Sequence, residues 1–286
     1  MSSISLIKIK EDRGVTLVEL MIALMMSGIL IAALYRTFIG QQRTYTVQEQ
    51  VVDMQQNVRV SIHRMMSEIR MAGFGNVNNA LNLVGGVNGF TQVITPNNNT
   101  ITIVGGFRQV RRDNGDPILI NSVGKDSGKD TLTLNYATDN FDGDKHHHFI
   151  SIGGLESNTV ASRSGNVLTL NLPLTLIPRA GTPIFKIHAI AYGIRNDDGV
   201  LVLFRDLYPN TVSSKRETVA ENIENVQFEY FDANGNPTGI PSNIRMVRVT
   251  VTARTDMSDP EFAGGDGYRR RQIASNIYIR NMGSYF

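Results

Sequence analysis

The sequence predicts an α+β protein in which one long N-terminal helix packs on a mostly antiparallel β-sheet head. Three observations predict it. An apolar run from Val15 to Leu34 passes without a proline into an amphipathic stripe that ends near Ala72. After Gly73-Phe74-Gly75 the hydrophobic period changes from helical to alternating. From about Asn76 onward Asn, Asp, Ser, Thr and Gly are frequent, which suits short strands joined by tight turns.

The chain opens with a polar stretch, Met1 to Gly14, that carries Lys8, Lys10, Glu11, Asp12 and Arg13. The run that follows reads VTLVELMIALMMSGILIAAL, and as a helix it would be about 30 Å long, enough to cross a hydrocarbon core. The basic residues ahead of it predict a cytoplasmic N-terminal side and an exported remainder. A cleaved secretory signal is the competing reading, but Ala32-Ala33-Leu34-Tyr35 is a poor match to a small-residue cleavage site.

Glu19 interrupts the apolar run. A charge at the centre of a membrane helix costs on the order of 2.5 to 3.5 kcal/mol, less toward the end, so this carboxylate needs a partner or a purpose. Cutting the chain after Gly14 would supply one, because the new amine of Val15 can pair with Glu19 of a neighbouring copy. The alternative is that Glu19 lies at the interface and reaches back to water.

Beyond the apolar run, Val47, Val51, Met54, Val58, Ile62, Met65 and Ile69 recur at helical spacing as one stripe, with polar residues mostly on the other faces. One continuous helix from Val15 to about Ala72 would be roughly 87 Å long. Gly28 and Gly40 are its soft points, each costing about 1 kcal/mol relative to alanine.

In the head, strands are expected at Thr100 to Val104, Thr131 to Tyr136, Val167 to Leu172, Ile184 to Ile194, Val200 to Arg205, Val226 to Phe231 and Val247 to Arg254. The last alternates cleanly, with Val247, Val249, Val251 and Ala253 on one face and Arg248, Thr250, Thr252 and Arg254 on the other. Asp197-Asp198-Gly199 reads as a hairpin turn.

Composition narrows the function classes. A chain of 286 residues with no cysteine holds a core large enough to fold, and it has no disulfide scaffold, thiolate metal site or cysteine nucleophile. A formal charge of +2 spread along the chain does not favour nucleic acid as a partner. The one compact basic run, Arg269-Arg270-Arg271, reads as a solvated strand end.

No catalytic set is found: the sequence lacks a nucleophile elbow, a phosphate loop and a His-Glu-x-x-His helix. Asp139, Asp142 and Asp144 around Gly143, followed by His146-His147-His148, are the candidate calcium ligands. Their spacing misses the calcium-loop pattern, and a solvated polar loop is the plainer reading. Asp256, Asp259, Glu261 and Asp266 read the same way.

Gly14-Val15-Thr16-Leu17-Val18-Glu19-Leu20 resembles the class III signal of type IV prepilins and type II secretion pseudopilins, with Val where that family usually has Phe. The resemblance implies a type IV pilin-like fold, cleavage after Gly14 and methylation of the Val15 amine by a prepilin peptidase, and alignment of the subunit in a filament by Glu19. Four further segments, in order, resemble the PilW group of minor pilins: Ile69 to Gly75, Lys129 to Tyr136, Glu224 to Tyr230, and Ile279-Arg280-Asn281.

That likeness implies a non-enzymatic structural subunit that primes or caps a type IV pilus. Its implied partners are other minor pilins, the major pilin, an inner-membrane assembly platform and a tip adhesin. The implied division is a cleaved leader over 1–14, a pilin helix over 15–75 with 15–34 in the membrane, and a β-rich head over 76–286. The expected location is the bacterial inner membrane, N-terminus cytoplasmic and head periplasmic, and then the pilus on the cell surface. A J-type secretion pseudopilin, or a pilin-anchored ligand- or DNA-binding module, is the alternative.

Overall fold

The fold is that of a computed structural model, which describes residues 14–82, 85–137, 149–212, 214–263 and 265–282. Helix α1 runs from Leu17 to Ile69, and Gly28 and Gly40 are both helical within it. The chain divides into two compact units that part between Gln50 and Val51. In the first unit, the apolar residues of the Val15–Leu34 run are all exposed. The hydroxyls of Thr37, Thr44 and Thr46 each donate to the carbonyl four residues earlier, at 2.9 to 3.2 Å, so these polar groups are satisfied on the helix itself.

Among the described residues, the second unit contains the rest of α1, a single helical turn α2 (Asn78–Leu81) and thirteen strands. These are β1 (Ile94–Pro96), β2 (Ile101–Gln109), β3 (Ile120–Asp126), β4 (Lys129–Leu134), β5 (Phe149–Ile152), β6 (Glu156–Ser164), β7 (Val167–Leu170), β8 (Ile184–Asp197), β9 (Val200–Leu207), β10 (Lys215–Glu221), β11 (Ile223–Phe231), β12 (Met246–Arg254) and β13 (Arg270–Tyr278). The layout is α+β and pilin-like, a long N-terminal helix followed by antiparallel sheets.

A ten-stranded sheet has the order β1-β2-β8-β5-β6-β7-β4-β3, with β9 on β8 and β10 on β9. β8 is its spine: one side pairs with β2, and the other pairs first with β5 and then with β9. The β8–β9 hairpin closes at Asp197 opposite Val200, and both turn residues have positive φ, Asp198 at 49° and Gly199 at 92°, as a type I′ turn requires. The second sheet is β11-β12-β13. In β12 the expected alternation holds, with Val247, Val249, Val251 and Ala253 fully buried and the residues between them half-exposed.

The stripe of α1 lies in the largest core cluster. Met54, Val58, Ile62, Met65 and Ile69 share it with Ile94, Ile101, Ile103, Ile190 and Leu203 of the large sheet and with Val226, Phe228, Val249 and Ile277 of the small one. A charged group is built into the same packing. Glu68 accepts from the Tyr192 hydroxyl at 2.5 Å and from the Arg205 guanidinium at 2.8 to 3.1 Å, and Arg64 approaches it at 3.3 Å. Burial, with the Glu68 charge beside it, pushes the Tyr192 phenol above its ordinary range, so Tyr192 stays a donor.

The expected helix to about Ala72 is corrected to Ile69. Met71 and Ala72 donate to Glu68 and Ile69, bonds of three-residue span that tighten the last turn, and Gly73 at φ 77° then turns the chain away. The turn docks on β2 by main-chain bonds: Gly73 N–H donates to the Val104 carbonyl at 2.9 Å and Gly106 N–H to that of Phe74 at 2.8 Å. Close backbone approach is what the glycines allow. A Cβ at Gly75, where φ is 101°, would stand 2.7 Å from Ser151 Cβ.

Some strand ends also move. The segment expected over Thr131 to Tyr136 pairs over Lys129–Leu134, and that expected over Val167 to Leu172 ends at Leu170. Leu119 N–H takes the side chain of Asn135, and Leu172 N–H that of Asn158, so side chains replace ladder bonds there.

Two expected outcomes follow from this packing. Gly75→Ala combines a strained φ with a clash against β5, and should lower stability by roughly 2 to 3 kcal/mol in urea unfolding of the full chain in micelles. His188 is buried on β8 between the rings of Phe107 and Tyr208; burial, then the charge of Arg205, lowers its pKa to about 3. The unfolded chain therefore binds the extra proton first as pH falls. Stability should drop between pH 6.5 and about 5 by roughly 2 kcal/mol, and a His188→Leu chain should lose that part of the slope in unfolding curves recorded at both pH values.

Candidate functional site

The N-terminal end of α1 brings Gly14, Val15 and Glu19 together with Thr16, to which the motif itself assigns no role. Leu17 is the first helical residue, so Thr16 is the N-cap and Glu19 the third residue of the helix, the spacing of a capping box. The bonds are those of the box. Glu19 N–H donates to Thr16 Oγ1, and Thr16 N–H donates to Glu19 Oε2, each at 3.3 Å. The Thr16 hydroxyl also donates to Oε2 at 3.3 Å, and Leu20 N–H opens the helix ladder on the Thr16 carbonyl at 3.1 Å.

A helix N-terminus leaves N–H groups without internal partners and carries partial positive charge, which a first-turn carboxylate offsets. Glu19 thus has local work in a single chain. The bonds from Thr16 fall on one carboxylate oxygen, Oε2, and the group stays exposed, so an ammonium from another chain can still reach it.

Gly14 lies outside the helix, two residues before the cap, and is exposed, as is Val15. A Cβ added at Gly14 would meet nothing within 4 Å among the described residues. The described part of the fold therefore makes no demand for glycine at this position. The accessible main chain at Gly14-Val15 is open to an external enzyme. Among the described residues α1 is the one helix long and apolar enough to cross a membrane.

The other candidates fare differently. Asp139, Asp142 and Asp144 lie outside the described residues. Of the second acidic group, Asp259 accepts from Arg269 at 3.1 Å, and Asp266 accepts two bonds from Arg270 at 2.6 and 2.8 Å. Arg270 holds the Asp266 carboxyl well below the usual carboxylate range, and also bonds Glu224 at 2.6 and 2.8 Å. Two carboxylates of that group are thus matched to arginines, and Arg269 and Arg270 of the basic run are matched to carboxylates. Among the described residues no group of three or more metal-ligating side chains converges.

Residues 9–35 match the family model described as the prokaryotic N-terminal methylation motif, a span that includes Gly14, Val15 and Glu19. The match supports a type IV pilin-like or pseudopilin protein, and with it processing by a prepilin peptidase and assembly into a pilus or pseudopilus. Together with the apolar helix it is consistent with inner-membrane anchoring. No curated protein and no solved structure matches the chain.

Removing the capping hydroxyl should loosen the start of α1. In Thr16→Val, amides of the first turn of the full chain in micelles should exchange about fivefold faster, the equivalent of about 1 kcal/mol, with protection beyond residue 24 unchanged. Unchanged exchange at the first turn would show that the box contributes nothing.

Proposed function

We propose that this protein is a structural minor pilin of the PilW type, which helps prime or cap a type IV pilus. The observation that carries the reading is the methylation-motif match over residues 9–35, set on an exposed Gly14 that the described fold does not require and a Glu19 in the first turn of an exposed apolar helix. The order of events follows from the chemistry. The apolar run holds the chain in the inner membrane, with the polar leader cytoplasmic and the head periplasmic. A prepilin peptidase cuts after Gly14 and methylates the freed amine of Val15.

Before the cut, Val15 contributes only an amide to its surroundings. After it, Val15 carries an ammonium four residues ahead of a carboxylate, and the two charges have opposite sign. In a bilayer each is costly alone, so pairing the ammonium of one subunit with Glu19 of another lowers that cost and sets the axial offset between subunits. The head contributes surfaces to other minor pilins, the major pilin, the assembly platform and a tip adhesin.

The methylation motif is equally compatible with a J-type pseudopilin of a type II secretion system, and the phenotype separates the two. In the native host Gly14→Trp should leave the leader attached, seen as an unshifted band on immunoblots, and abolish surface pili while secretion of exoproteins continues. Normal processing of the variant would overturn the reading; lost secretion with pili retained would move it to the pseudopilin.

A further inference from the structure

The small sheet ends in β13, and no described strand pairs with its outer side. Thr255 N–H donates to the Arg269 carbonyl at 2.9 Å, and Ile279 N–H to that of Arg245 at 3.0 Å. In the register that sets Val251 opposite Ile273 and Val247 opposite Ile277, the odd-numbered residues of β13 therefore exchange bonds with β12. The N–H and C=O groups of Gln272, Ala274, Asn276 and Tyr278 point away from the sheet, and they have no hydrogen-bond partner among the described residues. Proteins usually blunt such an edge with proline, lysine or a covering loop. The opposite edge is covered in this way: Phe228 of β11 donates to the Asn98 carbonyl at 2.8 Å, and the Tyr230 hydroxyl donates to that of Asn97 at 2.7 Å.

Beside the open edge lies a groove of about 710 Å³ between β13 and α1. Val60, Met66 and Ile273 give it apolar walls, and Arg59, His63 and Arg64 line it without any carboxylate. Arg64 is paired with Glu68, but Arg59 has no ion-pair partner among the described residues. Arg271, exposed and likewise unpaired, shares the alternate face of β13 with Ile273.

The geometry points to a docking site for another protein: an extended segment with apolar side chains at alternate positions and carboxylates beside them adds as a strand to β13 and fills this groove. Only an extended backbone satisfies the row of outward N–H and C=O groups, and its period of two sends every second side chain toward the groove. The cationic rim selects the acidic partner. A second copy of this chain brings the same cations to the same edge and is repelled. The site lies wholly within the second unit, on the part of α1 beyond Val51 and on β13, and does not depend on processing at Gly14.

Ala274→Pro tests it, because proline removes one outward N–H and leaves the bonds to β12 intact. The full chain in detergent micelles is panned against a phage-displayed library of random peptides about nine residues long. Enriched peptides are then synthesised and titrated by fluorescence anisotropy. They should alternate apolar residues, carry carboxylates, and bind Ala274→Pro at least about tenfold more weakly. The double variant Arg59→Glu with Arg271→Glu should weaken them comparably, with thermal unfolding of the chain unchanged; it serves alone if the proline variant misfolds. No enrichment, enrichment without acidic residues, or equal binding to the variants overturns the proposal. Self-association of the chain that Ala274→Pro abolishes would assign the edge to a second copy and overturn it as well.

Discussion

The apolar stripe on the second half of α1 has to leave water, and two sheets are arranged to take it. Burying a side chain such as Met65 or Ile69 contributes about 1.5 to 3 kcal/mol, and both are fully buried. The large sheet supplies Ile101, Ile103 and Ile190 and the small one Val249, Phe228 and Ile277, so the helix stands in the cluster with residues of both. Two satellite clusters depend on this arrangement less. One gathers Ile120, Leu132 and Leu168 among β3 to β7, and the other gathers Val77, Leu81 and Ile187 around α2. Without a disulfide, packing and the turn on Gly105 and Gly106 hold the head.

The helix carries two acidic residues in demanding surroundings, and it treats them differently. Glu19, exposed at the first turn, is held by bonds no shorter than 3.3 Å from its own neighbour Thr16. Such bonds exchange readily for better ones, which suits a group that must meet a partner. Glu68 has 13% of its side chain exposed and takes bonds of 2.5 to 3.1 Å from Tyr192 and Arg205, both brought by strands. It is committed within the chain.

Much of this was legible in the sequence because it is written locally. The helix stripe and the alternation of β12 repeat at short period, and the Asp198-Gly199 turn announces itself by residue type. The capping box is also local, in Thr16-x-x-Glu19, but it sits inside an apolar run where a carboxylate reads first as a membrane cost. The strands β1, β3, β5, β6, β10 and β13 lie outside the expected segments; β1 and β5 are only three and four residues long, and β10 and β13 carry polar residues, as Lys215-Arg216-Glu217 and Arg270-Arg271-Gln272 show. The partners of Glu68 lie 124 and 137 residues away, a relation no local pattern encodes.

The Glu68 cluster also acts as a mechanical pin. A greasy stripe resists separation from its sheets but has little preference for its position along its own axis, since a slide of one turn, about 5.4 Å, would present similar side chains to similar ones. A charge is not interchangeable in that way. Such a slide would carry Glu68 away from Arg205 and leave two mostly buried charges without each other, at a cost on the order of 3 to 5 kcal/mol. Force pulling along α1 would therefore meet this ion pair in addition to the main-chain bonds of the turn on β2.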